Sequence, residues 1–276
     1  MNPLHEDNLR AGDILISAPV PPEVDVDYLQ KVSVPVSITN NADVPILIDT
    51  IALQFDVIAE ASAADGRVIF QCPGGRLREK GSKYWNVPVR PNLFFREYTN
   101  CYSIAVSYRR EDGGKLGKLL TITKPAGTIY LIIHTPPIAF GKVFISYKDD
   151  EDVQLAKGLF TLARRAGFDP YMAPPDLKPG AQLWDEKIQP AIKESHCVFV
   201  IWTSKTSKGT GVAREVALCR KFGKDEVLLL EEGIDVPELF KSKQVREKER
   251  ERFRRSGPLG IFAEVVIARR GMIESD

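Results

Sequence analysis

Two hydrophobic patterns divide the chain. From about Asp13 to Thr135, apolar residues recur at every second position, the period that sends successive side chains to opposite faces of a strand. Val32, Val34, Val36 and Ile38 alternate with Ser33, Pro35, Ser37 and Thr39, and Ile51, Leu53, Phe55 and Val57 alternate with Ala52, Gln54 and Asp56. Tyr102, Ile104, Val106 and Tyr108 repeat the pattern. Between these runs lie turn signals at Asn40-Asn41-Ala42-Asp43, Pro73-Gly74-Gly75 and Asp112-Gly113-Gly114. No helical period interrupts them. Strands with one apolar face must cover one another, so residues 1–138 are expected to form an all-β sandwich of immunoglobulin-like type. Pro35 lacks an N–H, which predicts an edge strand or one whose N–H side faces outward.

After about Ile138, strands become continuous apolar runs and alternate with helical patterns. Val143-Phe144-Ile145-Ser146 reads as a strand, followed by a helix in which Val153, Ala156, Leu159, Phe160 and Ala163 share one face, with Asp149 as its expected N-cap. Phe168 to Met172, Cys197 to Trp202 and Glu226 to Glu231 follow as strands, separated by helices at Ile188 to Glu194 and Val212 to Phe222. Strands buried on both faces and joined by helices predict an α/β flavodoxin-like parallel sheet over residues 139–276. The junction near Pro136-Pro137 is short and stiff, so a preferred orientation of the two domains is expected. Leu259 to Ala268 fits either a strand or a helix.

Composition narrows the functional classes. The 276 residues are 43% hydrophobic and 27% charged, which excludes a disordered or collagenous chain. A formal net charge of +1 gives no global attraction to nucleic acid or anionic membrane. Lys241 to Arg255 holds eight basic residues, but three interleaved glutamates make it read as a solvated helix rather than a nucleic-acid contact. Four cysteines without C-x-x-C spacing suggest neither zinc nor a disulfide framework. No apolar run approaches the roughly 18 residues that a membrane span needs. A polar N-terminus without a leader-like core completes the expectation of a cytoplasmic protein with no membrane partner.

The motifs carry more. Val143-Phe144-Ile145-Ser146-Tyr147-Lys148-Asp149 is followed by Pro179-Gly180-Ala181-Gln182-Leu183-Trp184 and then by Glu215 on a later helix. In order and spacing this set, from about Lys142 to Glu231, resembles the Toll/interleukin-receptor homology (TIR) domain. The resemblance implies that Glu215 is the catalytic glutamate of a TIR NAD glycohydrolase, which cleaves the nicotinamide–ribose bond to give ADP-ribose or a cyclic form. It further implies that Tyr147, Lys148 and Trp184 border the substrate, and that NAD is a substrate with no resident cofactor or metal. The loop around Asp176, Lys178, Pro179 and Gly180, the BB loop of the family, would join neighbouring subunits in a self-assembled signalling or antiviral immune complex. An activating ligand or partner of the β domain is implied but not named.

Strand ends support the same site. Ligands in open parallel sheets sit beyond the carboxyl ends of the strands. Ser146, Tyr147 and Lys148 end the first strand and Thr203 and Ser204 follow the third, so all should border one crevice. A single carboxylate suffices there, because nicotinamide leaves as a neutral pyridine and needs no general acid. Other readings of the same residues make Glu215 an exposed helix glutamate paired with Lys208 or Arg214, Trp184 a packing residue and His196 structural. Catalytically active TIR domains commonly carry tryptophan four residues before the glutamate, where this chain has Gly211. That departure keeps an alternative open, a non-enzymatic TIR–TIR interaction or adaptor module. The glycines form neither a Walker nor a Rossmann fingerprint, which argues against kinase or hydride-transfer chemistry.

Overall fold

The computed structural model describes residues 11–17, 23–56, 67–124, 130–148, 152–173, 184–206, 211–241, 250–254 and 257–275. The chain divides into two compact units, Met1–His134 and Thr135–Asp276.

In the first unit, β1 (Ile14–Ser17), β3 (Val32–Asn40) and β6 (Ser82–Val89) form an antiparallel sheet in the order β1-β3-β6. A larger sheet runs β2 (Glu23–Asp27), β10 (Tyr130–His134), β7 (Tyr98–Asp112), β4 (Ile46–Asp56) and β5 (Arg67–Leu77), with β8 (Lys115–Leu116) and β9 (Leu120–Lys124) also paired to β7. The alternating residues supply the core. Val34, Val36, Ile38, Ile51, Leu53, Phe55, Tyr102, Ile104, Val106 and Tyr108 are all buried, and the Phe55 and Tyr102 rings meet at 4.7 Å. The Asp112-Gly113-Gly114 signal is a hairpin turn, with φ of 56° at Gly113 and 79° at Gly114. Asn40, fully buried, closes the turn after β3. Its amide donates to the carbonyls of Val44 and Arg78, both at 2.9 Å, and its side-chain oxygen accepts the Ala42 N–H.

Two expectations are settled here by local geometry, the first narrowed to its second branch and the other overturned. Pro35 lies in a central strand rather than an edge strand. It is tolerated because the β1 ladder covers only Ser37 to Asn40, leaving Pro35 paired on the β6 side alone. Pro73-Gly74-Gly75 is not a chain reversal but part of β5. The β4 register breaks between Ile48 and Thr50, and a Cβ on Gly74 would lie 2.3 Å from the Ile48 carbonyl oxygen. The glycine therefore marks close backbone approach at an irregularity, not a turn.

In the second unit, five parallel strands follow the order β12-β11-β13-β14-β15: β11 (Lys142–Ser146), β12 (Asp169–Met172), β13 (Cys197–Trp202), β14 (Asp225–Glu231) and β15 (Arg250–Phe253). All six residues of β13 are buried, as a continuous apolar run at the middle of a covered sheet requires. Helices α1 (Val153–Arg165), α2 (Gln189–Glu194), α3 (Gly211–Lys221) and α4 (Pro258–Ser275) complete the layers. A single wide turn, Trp184–Ile188, leads into α2. The bidentate pair of Arg220 with buried Glu226, at 2.9 and 3.0 Å, ties α3 to β14.

Further differences concern polar or ambiguous segments. The residue flanking α1 is Asp152, and its side chain does not cap the helix; Asp149 lies outside the described residues. The mixed-charge segment ends in strand β15 rather than a solvated helix, because its ladder with β14 and the burial of Phe253 compensate for its charged residues. Leu259 to Ala268 is helical, within α4, and buries Phe262, Ala263, Val265 and Val266. Among the described residues, no helix is long and apolar enough to cross a membrane.

Candidate functional site

The site is built where β11 ends against α3. Phe144 and Ser146 stand two apart on β11 and face the same side of the sheet, and Ser146 pairs with Val200 of β13. On α3, the spacing of Val212, Glu215, Val216 and Cys219 turns all four inward, so the helix delivers one carboxylate into an otherwise apolar layer. Ser146 is fully buried, Glu215 is 8% exposed, and the serine hydroxyl donates a short hydrogen bond to the carboxylate. Burial disfavours the charged form and pushes Glu215 up to about 7, against the downward pull of the Ser146 hydrogen bond. A side chain that is ordinarily ionised thus sits near its midpoint at neutral pH.

Tyr171, on the neighbouring strand β12, faces this carboxylate. Its ring stacks on Phe144 with centroids 5.8 Å apart, and its phenol is raised by burial and by the charge of Glu215. The sequence reading passed over Tyr171. Its signal was available, since an aromatic near the carboxyl end of the strand beside β11 must look into the same crevice. Trp202 was also missed as a neighbour. It closes the end of β13 in the same apolar cluster as Trp184, Val212 and Phe144, and packs edge-on against Phe240.

The other expected site residues take several positions. Tyr147 is buried and its hydroxyl donates to the Ala173 carbonyl at 2.5 Å, tying the end of β11 to the residue that follows β12. Lys148 is half-buried directly after β11. Trp184 packs partly buried on the core cluster, and the Arg214 guanidinium lies over its ring, 4.1 Å from the centroid. Thr203 is fully buried and its hydroxyl donates to buried Asp152 at 2.7 Å. Ser204 is exposed, with its backbone N–H bound to Glu231 at 2.9 Å. Thus Ser146, Tyr171 and Glu215 form one group, whereas the Thr203 hydroxyl is committed to joining the β13 end to α1.

Glu215 is neither exposed nor paired with Arg214; Lys208, the other residue considered for that pairing, lies outside the described residues. So do Asp176, Lys178, Pro179 and Gly180. Gly211 begins α3 exposed, and a Cβ there would meet nothing within 4 Å. His196 is exposed, and its backbone N–H donates to the Lys142 carbonyl at 2.8 Å.

A doubly wound parallel sheet with a buried carboxylate at its carboxyl edge defines the class. Residues 143–251 match the model of the family described as TIR domain, so the C-terminal unit carries a TIR domain. Among solved structures, the chain is similar to the RPS4 and RRS1 TIR domain heterodimer at 15% identity, covering 49% of this chain and 99% of that one, with a TM-score of 0.37. It is similar to the Clostridium botulinum CMP N-glycosidase BcmB at 15% identity, covering 46% and 98%, with a TM-score of 0.36. The TIR domains of the activated Roq1 resistosome align at 18% identity over 49% and 81%, with a TM-score of 0.29. No curated protein matches the chain.

Proposed function

We propose that the TIR domain is an NAD glycohydrolase with Glu215 as its catalytic residue. The observation that carries this reading is a buried carboxylate, pushed up to about 7, held by one serine hydroxyl at the carboxyl end of β11. A buried acid with a single hydrogen-bond partner is an inefficient structural element, and perturbed groups of this kind concentrate at functional sites. Ionised Glu215 accepts hydrogen bonds from ribose hydroxyls of NAD and sets its charge beside the anomeric carbon. As the C1′–N bond breaks, its electron pair passes to the ring nitrogen, and nicotinamide departs uncharged. The positive charge left on the ribose is stabilised by the carboxylate in a site from which water is largely excluded. Water then adds at C1′ and loses a proton, giving ADP-ribose; capture by the adenine of the same molecule gives a cyclic product. Tyr171 supplies a wall of the nicotinamide-ribose site, and Lys148 lies at its edge.

In this reading the protein works in the cytoplasm as an immune or antiviral effector. Self-association through the loop that contains Asp176, Lys178, Pro179 and Gly180 completes the site, and the N-terminal unit, an immunoglobulin-like sandwich, senses or assembles. Gly211 favours a second reading, a non-enzymatic TIR interaction module, because it leaves an open and exposed position at the start of α3. Nicotinamide release from NAD by the full chain, measured at several protein concentrations with and without a crowding agent, separates the two. The enzyme reading expects release that grows faster than protein concentration and falls to background in Glu215→Ala. Equal release from both proteins under assembling conditions would overturn it.

A further inference from the structure

We infer that Arg214, seated over the Trp184 ring, is the specificity-determining residue for the phosphates of the substrate, so that the site takes phosphate-bearing nucleotides in preference to free nucleosides. The inference rests on the reading of the Glu215 crevice as a nucleotide site, and deepens it. Arg214 immediately precedes Glu215 on α3, but the two side chains have opposite settings, since Glu215 is buried and Arg214 is exposed. The Arg214 guanidinium lies 4.1 Å from the centre of the Trp184 ring. Trp184 is itself fixed by packing on the cluster that contains Ile188, Trp202 and Val212, so the platform is anchored to both helices of this face.

Four other arginines of the unit are engaged with carboxylates, and Arg164 and Arg252 donate to the Pro136 and Ile234 carbonyls. Arg220 pairs with Glu226, Arg254 with Glu232, Arg269 with Asp225 and Arg270 with Glu274. Among the described residues Arg214 has no such partner. A guanidinium that lies over an arene is shielded on that side alone, and the N–H donors that point away from the ring stay available to an anion. That geometry suits bidentate binding of a phosphate, and the seated side chain has already lost the rotamer freedom that binding would otherwise cost. It also changes the role of Trp184. One face of its ring is occupied by a cation, so its contribution is to orient a charge in addition to any stacking on a base.

Calorimetric titration of the full chain with ADP-ribose and, separately, with adenosine tests this. ADP-ribose carries the diphosphate and is not itself consumed, so the measurement does not depend on turnover. Arg214→Ala should weaken ADP-ribose at least tenfold while shifting adenosine less than twofold, and Arg214→Lys should recover part of the difference by keeping the charge. Equal losses for the two ligands, unchanged ADP-ribose affinity, or no binding of ADP-ribose by the wild-type chain would overturn the inference. Arg214-dependent binding of ADP-ribose by a wild-type chain that releases no nicotinamide from NAD under assembling conditions would sustain Arg214 while removing the glycohydrolase reading.

Discussion

In the β unit, buried Asn40 donates to two backbone carbonyls and accepts one backbone N–H, and buried Asn100 likewise serves the backbone of Arg96 and Leu131. In the α/β unit, buried Glu215 has one hydrogen bond, from Ser146, and an ionisation poised near neutrality. Both arrangements place a polar group among apolar neighbours, yet they differ in what the protein gains. The asparagines satisfy backbone groups that would otherwise be stranded, so their burial supports the fold. The carboxylate satisfies little and is costly to ionise. In the proposed function its position serves a task in the ionised form, as expected where stability is given up for function.

Substitutions at these residues should separate the two roles. The largest effect is expected for Glu215→Ala, which should lower the rate of nicotinamide release at least 1,000-fold, equivalent to about 4 kcal/mol of barrier, with the fold unchanged by circular dichroism. Asn40→Ala should follow, costing about 1–3 kcal/mol because two part-buried carbonyls and one buried N–H lose their partner. Urea unfolding monitored through Trp85 of β6, the one tryptophan of the β unit, would register it. A loss below about 0.5 kcal/mol would remove the contrast from the β side.

Glu215→Gln should have the opposite sign. Because the folded carboxyl titrates near 7 rather than at its ordinary 4.5, its protonated form favours the native state. That contribution is complete below about pH 4.5 and is lost as pH rises to about 7, above which the wild-type protein carries a buried charge. Glutamine carries none. The variant should therefore gain on the order of 2–3 kcal/mol of unfolding free energy at pH 8, and almost nothing at pH 4.5. Equal stability of the two proteins at pH 8 would show that the carboxylate is better solvated than its surroundings imply. The smallest effect concerns Ser146→Ala. Losing the donor that favours the ionised carboxylate should move the acid limb of activity upward by about one pH unit while leaving the alkaline plateau measurable.

Much of the α/β unit was legible because buried parallel strands leave continuous apolar runs. Cys197 to Trp202 has the limits read from sequence, and α3 begins and ends within one residue of expectation. Strand β15 was not legible, since Arg250-Glu251-Arg252 carries no apolar signal and gains its place from the ladder with β14. Pro73-Gly74-Gly75 misled because the same residues serve a turn or a close backbone approach, and only the partner strand decides which. In the site, Glu215 emerged from the order of motifs along the chain. Its bond with Ser146 spans 69 positions and the Asp152–Thr203 bond spans 51, distances over which local pattern has no information. Burial of Glu215 followed from helical spacing with Val212 and Val216, which the weight given to its charge concealed.

The central claim is that Glu215 acts as an ionised catalytic group although burial opposes its ionisation. Its most direct test is kcat/KM for nicotinamide release from NAD as a function of pH, for the full chain beside Glu215→Gln. Activity should rise through a single ionisation near pH 7 to a plateau, and be absent from the glutamine variant at every pH. Release that is flat from pH 5 to 8, or that persists in Glu215→Gln, would contradict it.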